Sequence, residues 1–235
     1  MNIKLTIEYD GTHFYGFEIQ PQKRTVRGEI ESAILGVTGE EIKLCCAGRT
    51  DKGVHALAQV INFSTGSGLS PSDLKRAINA NLPKDIYVKN TAEVPDEFHA
   101  RYSAKGKVYL YRLLGGKSPL RRNYVWEYRF KLDFATLREI VPIFCGRYNF
   151  KRFAKRDEGV CEVRRFDMWE KEDEIHLEIE GDRFLHKQVR MMVGTALLFA
   201  RNRIDRASII HMLNGGEGMA ALAPASGLYL KRVIY

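Results

Sequence analysis

Hydrophobic positions change period along this chain in a regular way. Ile3, Leu5, Ile7 and Tyr9 alternate with polar residues and stop at Asp10-Gly11, which predicts a strand and a turn. Val26, Ile30, Ala33, Ile34 and Val37 then recur at helical spacing behind Thr25, a residue suited to cap the first turn. Ile42, Leu44 and Cys46 alternate again, and a second apolar run follows from Val60 to Phe63. Ser70-Pro71-Ser72-Asp73 reads as a helix start, with Leu74, Ala77 and Ile78 on the buried face and Asn81-Leu82-Pro83 as the stop. Ile86 and Val88 open another strand.

That order, β-α-β-β-α-β, is the ferredoxin-like unit, and the second half of the chain repeats it. Val108, Leu110 and Arg112 point to one face of a strand, while Tyr109, Tyr111 and Leu113 point to the other. Asp133 is placed to cap a helix carrying Phe134, Leu137, Ile140, Val141 and Phe144, which Pro142 is expected to kink. Val163 to Trp169 and Ile175 to Ile179 predict two strands around a charged hairpin. Leu185, Val189, Met192, Val193 and Ala196 predict a long helix, Ile209, Ile210 and Leu213 a shorter one, and Leu228, Leu230 and Val233 a closing strand. The expected fold class is α+β: two ferredoxin-like halves with antiparallel sheets side by side and a cleft between them, basic if the charges gather there. Residues 1–102 form the first domain, with the loop between its central strands, and residues 103–235 the second, which completes the cleft.

Composition narrows the partners. The 235 residues carry a formal net charge of +8, which suits a polyanion, either nucleic acid or a membrane surface. The longest apolar run, Met191 to Ala200, falls short of the roughly 18 residues that span a bilayer and is interrupted by Gly194 and Thr195. The N-terminus alternates like a strand and lacks the apolar block of a signal peptide, so a cytoplasmic location is expected. Cys45, Cys46, Cys145 and Cys161 form no C-x-x-C pair and no zinc spacing, and the six histidines are scattered, so no metal is expected. Between Arg147 and Arg165 seven basic residues stand against three acids, interleaved with Tyr148, Phe150 and Phe153. Cations there would neutralise phosphates and rings would stack on bases. For Phe150 and Phe153 core packing is an equally good reading.

The densest chemistry lies in Cys45-Cys46-Ala47-Gly48-Arg49-Thr50-Asp51-Lys52-Gly53-Val54-His55, a turn between two strands. Two glycines permit unusual dihedrals there, and flanking strands hold the loop still. On spacing alone, Arg49 and Asp51 make an ordinary surface pair. The nine residues from Ala47 to His55, however, closely resemble the active-site motif of the TruA-type tRNA pseudouridine synthases. The likeness continues in order through Ile7-Glu8-Tyr9-Asp10-Gly11-Thr12 with Phe14-Tyr15-Gly16, then Asn79-Ala80-Asn81-Leu82-Pro83 and Phe98-His99-Ala100-Arg101-Tyr102-Ser103-Ala104. It resumes in Phe184-Leu185-His186-Lys187-Gln188-Val189-Arg190-Met191-Met192-Val193-Gly194 and Ala223-Pro224-Ala225-Ser226-Gly227-Leu228-Tyr229-Leu230.

The resemblance implies a homodimeric isomerase that converts uridine to pseudouridine at positions 38, 39 and 40 of the tRNA anticodon stem-loop. It implies that Asp51 is the nucleophile, that Arg190 pairs with it, that Tyr109 stacks on the target base, and that Arg49 enters the space left by the flipped nucleotide. The chemistry is consistent with those residue types. A base in a stem must be extruded to be reached, which calls for a ring to cover it and a long planar group to fill the gap. The isomerisation is redox-neutral and requires a nucleophile and proton transfer, so no cofactor is expected. From the residues alone, Tyr109 is equally a core tyrosine, Arg190 a structural cation, and His186 a packing or phosphate residue. A non-catalytic RNA platform is the main alternative, although binding gives no reason for a carboxylate amid positive charge; a hydrolase lacks a second acid or an oxyanion motif. Where many bacterial relatives carry tryptophan, this chain has Phe17, followed by Glu18-Ile19-Gln20, a departure that bears on RNA docking.

Overall fold

The strands and helices of the computed structural model follow the periodicity closely, and residues 1–131, 133–155 and 159–235 are described. They group into two units, Met1–Lys105 with Tyr229–Tyr235, and Gly106–Leu228. Both are α+β, with mostly antiparallel strands and five α-helices between them among the described residues.

The first unit contains β1 (Asn2–Tyr9), α1 (Val26–Thr38), β2 (Cys45–Cys46), β3 (His55–Ser64), α2 (Pro71–Asn81) and β4 (Ile86–Val94). β1 lies between β3 and β4, antiparallel to both, with Leu5 opposite Ile61 on one side and Thr91 on the other. Its alternation puts Ile3, Leu5 and Ile7 wholly inside, together with Ile30 and Ile34 of α1 and Leu74 and Ile78 of α2. Each such side chain contributes roughly 1.5–3 kcal/mol of burial. The caps form as their residue types dictate: Thr25 Oγ1 accepts from the Gly28 amide and Ser70 Oγ from that of Asp73. The far edge of β3 is divided. Cys45 and Cys46 pair antiparallel with Asn62 and Ile61, while Tyr229 and Leu230 pair parallel with His55 and Ala56. The strand expected from Ile42 to Cys46 is therefore shorter than its alternation predicts.

The second unit contains β5 (Gly106–Gly115), β6 (Trp126–Tyr128), α3 (Phe134–Ile140), β7 (Gly146–Asn149), β8 (Val160–Lys171), β9 (Glu174–Gly181), α4 (Gln188–Phe199) and α5 (Arg206–Leu213), and leads into β10 (Leu228–Ile234). The strands run β5-β9-β8-β7 with antiparallel neighbours, and β6 lies parallel against β5.

Two further expectations are corrected here, and one open alternative is decided. Pro142 does not kink a helix. α3 ends at Ile140, and a 3-10 turn over Val141–Phe144 takes Pro142 in its first positions, where a missing amide costs nothing. α4 begins at Gln188, so Leu185 precedes it; Lys187 sits at φ 66°, and Gln188 Oε1 accepts from the Leu185 amide. Phe150 and Phe153 are core residues, wholly buried and edge-on to one another, with Phe144 edge-on to Phe153. Of the cations around them, Arg164 and Arg165 are paired with acids, Arg152 donates to the Gly216 carbonyl, and Arg156 lies outside the described residues.

Candidate active site

In the first unit the loop from Ala47 to His55 is braced at several points along its length. The Ala47 amide donates to the Val60 carbonyl at 2.9 Å, and the wholly buried Gln59 donates its Nε2 to the Gly48 carbonyl at 2.6 Å. Thr50 is buried, with its Oγ1 2.7 Å from the Tyr9 hydroxyl and its carbonyl accepting from the Phe17 amide at 3.0 Å. Gly16 presses on the same carbonyl so closely that a Cβ there would lie 2.9 Å from it, on a backbone at φ +99°. The Val54 amide closes the turn onto the Asp51 carbonyl at 3.1 Å. The loop is thus held at Ala47, Gly48 and Thr50 by β3 and by residues 9–17, and at Asp51 by its own turn.

The side chains on the outer surface differ from those behind. Asp51 is half-buried, Arg49 is 73% exposed, and Lys52 Nζ lies 3.9 Å from the centroid of the Tyr15 ring. Arg49 Nε pairs with Glu18 Oε2 at 2.9 Å. His55 is buried, accepts at Nδ1 from the Gly11 amide at 3.0 Å, and stacks on Tyr229 with centroids 4.7 Å apart. It is a fixture of the loop's base.

In the second unit Tyr109 lies on β5 opposite Ile179, 8% exposed, with its ring edge-on to Phe184 at 5.2 Å. Tyr111, on the same strand face, is wholly buried and donates to the Pro224 carbonyl at 2.8 Å. Burial pushes its phenol well above the usual range, against the pull of the nearby Arg190 charge. Arg190, in the first turn of α4, exchanges two hydrogen bonds with Ala223: Nε donates to the Ala223 carbonyl at 2.7 Å and the Ala223 amide donates back to the Arg190 carbonyl at 3.1 Å. Gly194, one turn on, lets this segment approach so closely that a Cβ would stand 2.2 Å from the Ala221 carbonyl oxygen. Arg190 is therefore held by the segment Ala221–Gly227, and so is Tyr111.

The site residues anticipated from the sequence thus occupy two settings. Asp51 and Arg49 share the braced loop of the first unit, and Tyr109 and Arg190 are fixed in the second by Phe184 and Ala223. His186 is exposed, with Nδ1 2.9 Å from the Lys155 carbonyl. Tyr9 and Gly16 lie inside motifs visible in the sequence, but that they brace Thr50 is not apparent there, nor are the parts played by Gln59 and by Glu18 beside Arg49. No group of three or more histidine, cysteine or acidic residues able to hold a metal occurs among the described residues.

The sequence model of the tRNA pseudouridine synthase family matches residues 5–103 and 140–235. The chain belongs to that family. It is 39% identical over 248 residues to tRNA pseudouridine synthase A 2 of Clostridium perfringens, covering 100% of this chain and 99% of that one. It is also 40% identical to tRNA pseudouridine synthase A of Acetivibrio thermocellus, with 100% and 99% covered, and 39% identical to that of a Geobacillus species, with 99% and 98% covered. As a member of the TruA family of tRNA pseudouridine synthases, the chain is an isomerase. The matched segments of this synthase include the Asp51 loop, with Tyr9 and Gln59 that brace it, and both Arg190 and the Ala223 segment that holds it.

Proposed function

We propose that this synthase isomerises uridine in the anticodon stem-loop of tRNA, at positions 38, 39 and 40, with Asp51 as nucleophile. The observation that carries the reading is the contrast within one loop. It is tied down by Gln59, Tyr9, Phe17 and Val60, while Asp51 itself is only half-buried. A nucleophile needs that combination of fixed position and access.

The remaining roles follow from the same chemistry. The target base is extruded from its stem, Tyr109 covers its face, and Arg49, long, planar and largely exposed, occupies the space it leaves. Arg190 keeps Asp51 ionised, and hence nucleophilic, once RNA closes the site. The Asp51 carboxylate bonds to the uridine as the N1–C1′ bond breaks, the detached base turns, and the bond to Asp51 breaks again as C5–C1′ forms; carbon 5 loses a proton and N1 gains one. Atoms balance without an external reactant. The reading extends to a basic cleft between two ferredoxin-like halves, residues 1–102 and 103–235, to a homodimer, and to the cytoplasm as the place of action.

Release of tritium from uridine labelled at carbon 5 in an unmodified tRNA transcript tests it. Wild type releases label. Asp51→Asn, of equal size and without charge, is expected to bind the transcript as before and release none, a loss beyond about a thousandfold. Substantial release by Asp51→Asn rules out the nucleophile, and release from transcripts lacking uridine at positions 38 to 40 rules out the site.

A further inference from the structure

Glu18 has no part in the reaction as set out above, yet it holds the residue assigned to the vacated base position. Its backbone is immobilised: the Phe17 amide donates to Thr50, and the Arg27 amide donates to the Phe17 carbonyl at 2.9 Å. Its carboxylate is shared. Oε1 takes Arg27 Nη1 at 2.5 Å and Oε2 takes Arg49 Nε at 2.9 Å, while Arg27 Nε is held in turn by Glu31 at 2.7 Å.

We propose that Glu18 is a positioning residue for Arg49, a carboxylate that parks the guanidinium in the RNA-free enzyme and yields it when RNA docks. The proposal rests on the reading that Arg49 fills the space of the extruded nucleotide. Three features make the arrangement work. The Arg49 end of the pair is largely exposed, and an exposed pair is a weak restraint that a row of phosphates can outcompete. Glu18 keeps Arg27 when Arg49 departs, so no half-buried charge is left unpaired. And Glu18 sits on backbone fixed to Thr50, next to Arg49 in the chain, so the parked guanidinium stays beside the loop it must serve. A free guanidinium at this position would bind any RNA backbone; a parked one is spent only where docking supplies enough competing charge.

The test is a binding cycle on the full-length protein at one fixed salt concentration, using an unmodified tRNA transcript and a plain RNA duplex as probes. Wild type, Glu18→Gln, Arg49→Ala and the double variant are compared, with Glu31→Gln as a control that removes a neighbouring charge without touching Arg49. Glu18→Gln is expected to tighten binding of the duplex two- to fivefold, and to lower KM for the transcript by a similar factor with kcat unchanged. In the Arg49→Ala background the same substitution should change neither, and Glu31→Gln should tighten neither probe. Equal tightening in both backgrounds would show that Glu18 acts by bulk charge and would overturn the proposal, as would no tightening in the wild-type background. Wild-type kcat in Arg49→Ala overturns the premise that Arg49 serves base extrusion, and it is read from turnover, separately from the binding cycle.

Discussion

The Tyr9 hydroxyl and the Thr50 hydroxyl lie 2.7 Å apart, both in buried side chains, and join the end of β1 to the residue before Asp51. Tyr9→Phe leaves the Thr50 hydroxyl without this partner. The expected loss is about 1–3 kcal/mol of stability, read as a lower urea midpoint. Turnover should fall several-fold while tRNA affinity holds, because the loop loses registration and no RNA contact.

Tyr109 separates two readings of one ring. If it covers the target base, Tyr109→Phe keeps the face that stacks and should retain most activity, whereas Tyr109→Leu should lose about 1–3 kcal/mol of stacking, roughly tenfold or more in kcat/KM. The ring packs edge-on against Phe184, so thermal melting of both variants must be followed alongside. Equal activity of the two variants would count against stacking.

Gly194→Ala tests the support of Arg190. A methyl group there would meet the Ala221 carbonyl oxygen at 2.2 Å, a backbone atom that cannot simply rotate away. The overpacking is expected to cost about 1–3 kcal/mol. Since Arg190 Nε bonds Ala223, two residues further on, kcat should drop by more than a comparable loss of stability elsewhere in α4 would explain. Leu197→Ala, a cavity variant on the same helix, supplies that comparison.

Acid should weaken the second unit in two stages. Glu174 is buried and receives Arg112 through Nε and Nη2 at 2.8 Å each, with Arg121 Nη1 at 3.2 Å and His176 Nε2 at 3.0 Å. Burial opposes its ionisation, but Arg112 and His176 outweigh burial and hold the carboxyl below its ordinary range. Burial likewise lowers His176, against the pull of Glu174. Both folded values lie below the unfolded ones, so both groups contribute stability at neutral pH that is lost as pH falls. The loss begins below about 6.5, where the unfolded histidine takes a proton that the folded one refuses, and continues through the carboxylate range. Urea midpoints measured from pH 8 to 4 should show it, and His176→Asn should abolish the upper stage and diminish the lower one, which Arg112 still supports.

Period and capping were sufficient to read the long elements. β1, α1, α2, β5 and α4 are each carried by residues whose spacing matches one repeat, and Thr25, Ser70 and Asp133 cap where their side chains allow. β6 and β7, three and four residues long, contain too few positions to display a period. The aromatic and basic stretch misleads for a related reason: counting rings and cations along a line does not tell which face inward, and Phe150 and Phe153 do. The Asp51 loop is contiguous and therefore recognisable. Its bracing comes from Tyr9, Gly16 and Gln59, brought together only by pairing of β1 with β3 and by the loop after β1. Glu18 is invisible for the same reason, since an ion pair between residues 18 and 49 leaves no local trace.

The divided edge of β3 has a consequence for how the molecule is made. His55 and Ala56 receive their neighbours, Tyr229 and Leu230, only after the whole of the second unit has been synthesised. A nascent chain that has emerged through β4 therefore carries the Asp51 loop on an unfinished sheet, with His55 lacking the ring it stacks on. Contacts so distant in sequence close late and slowly. Competence for catalysis should consequently arrive as a final, separate event in biogenesis, after most of the secondary structure is in place.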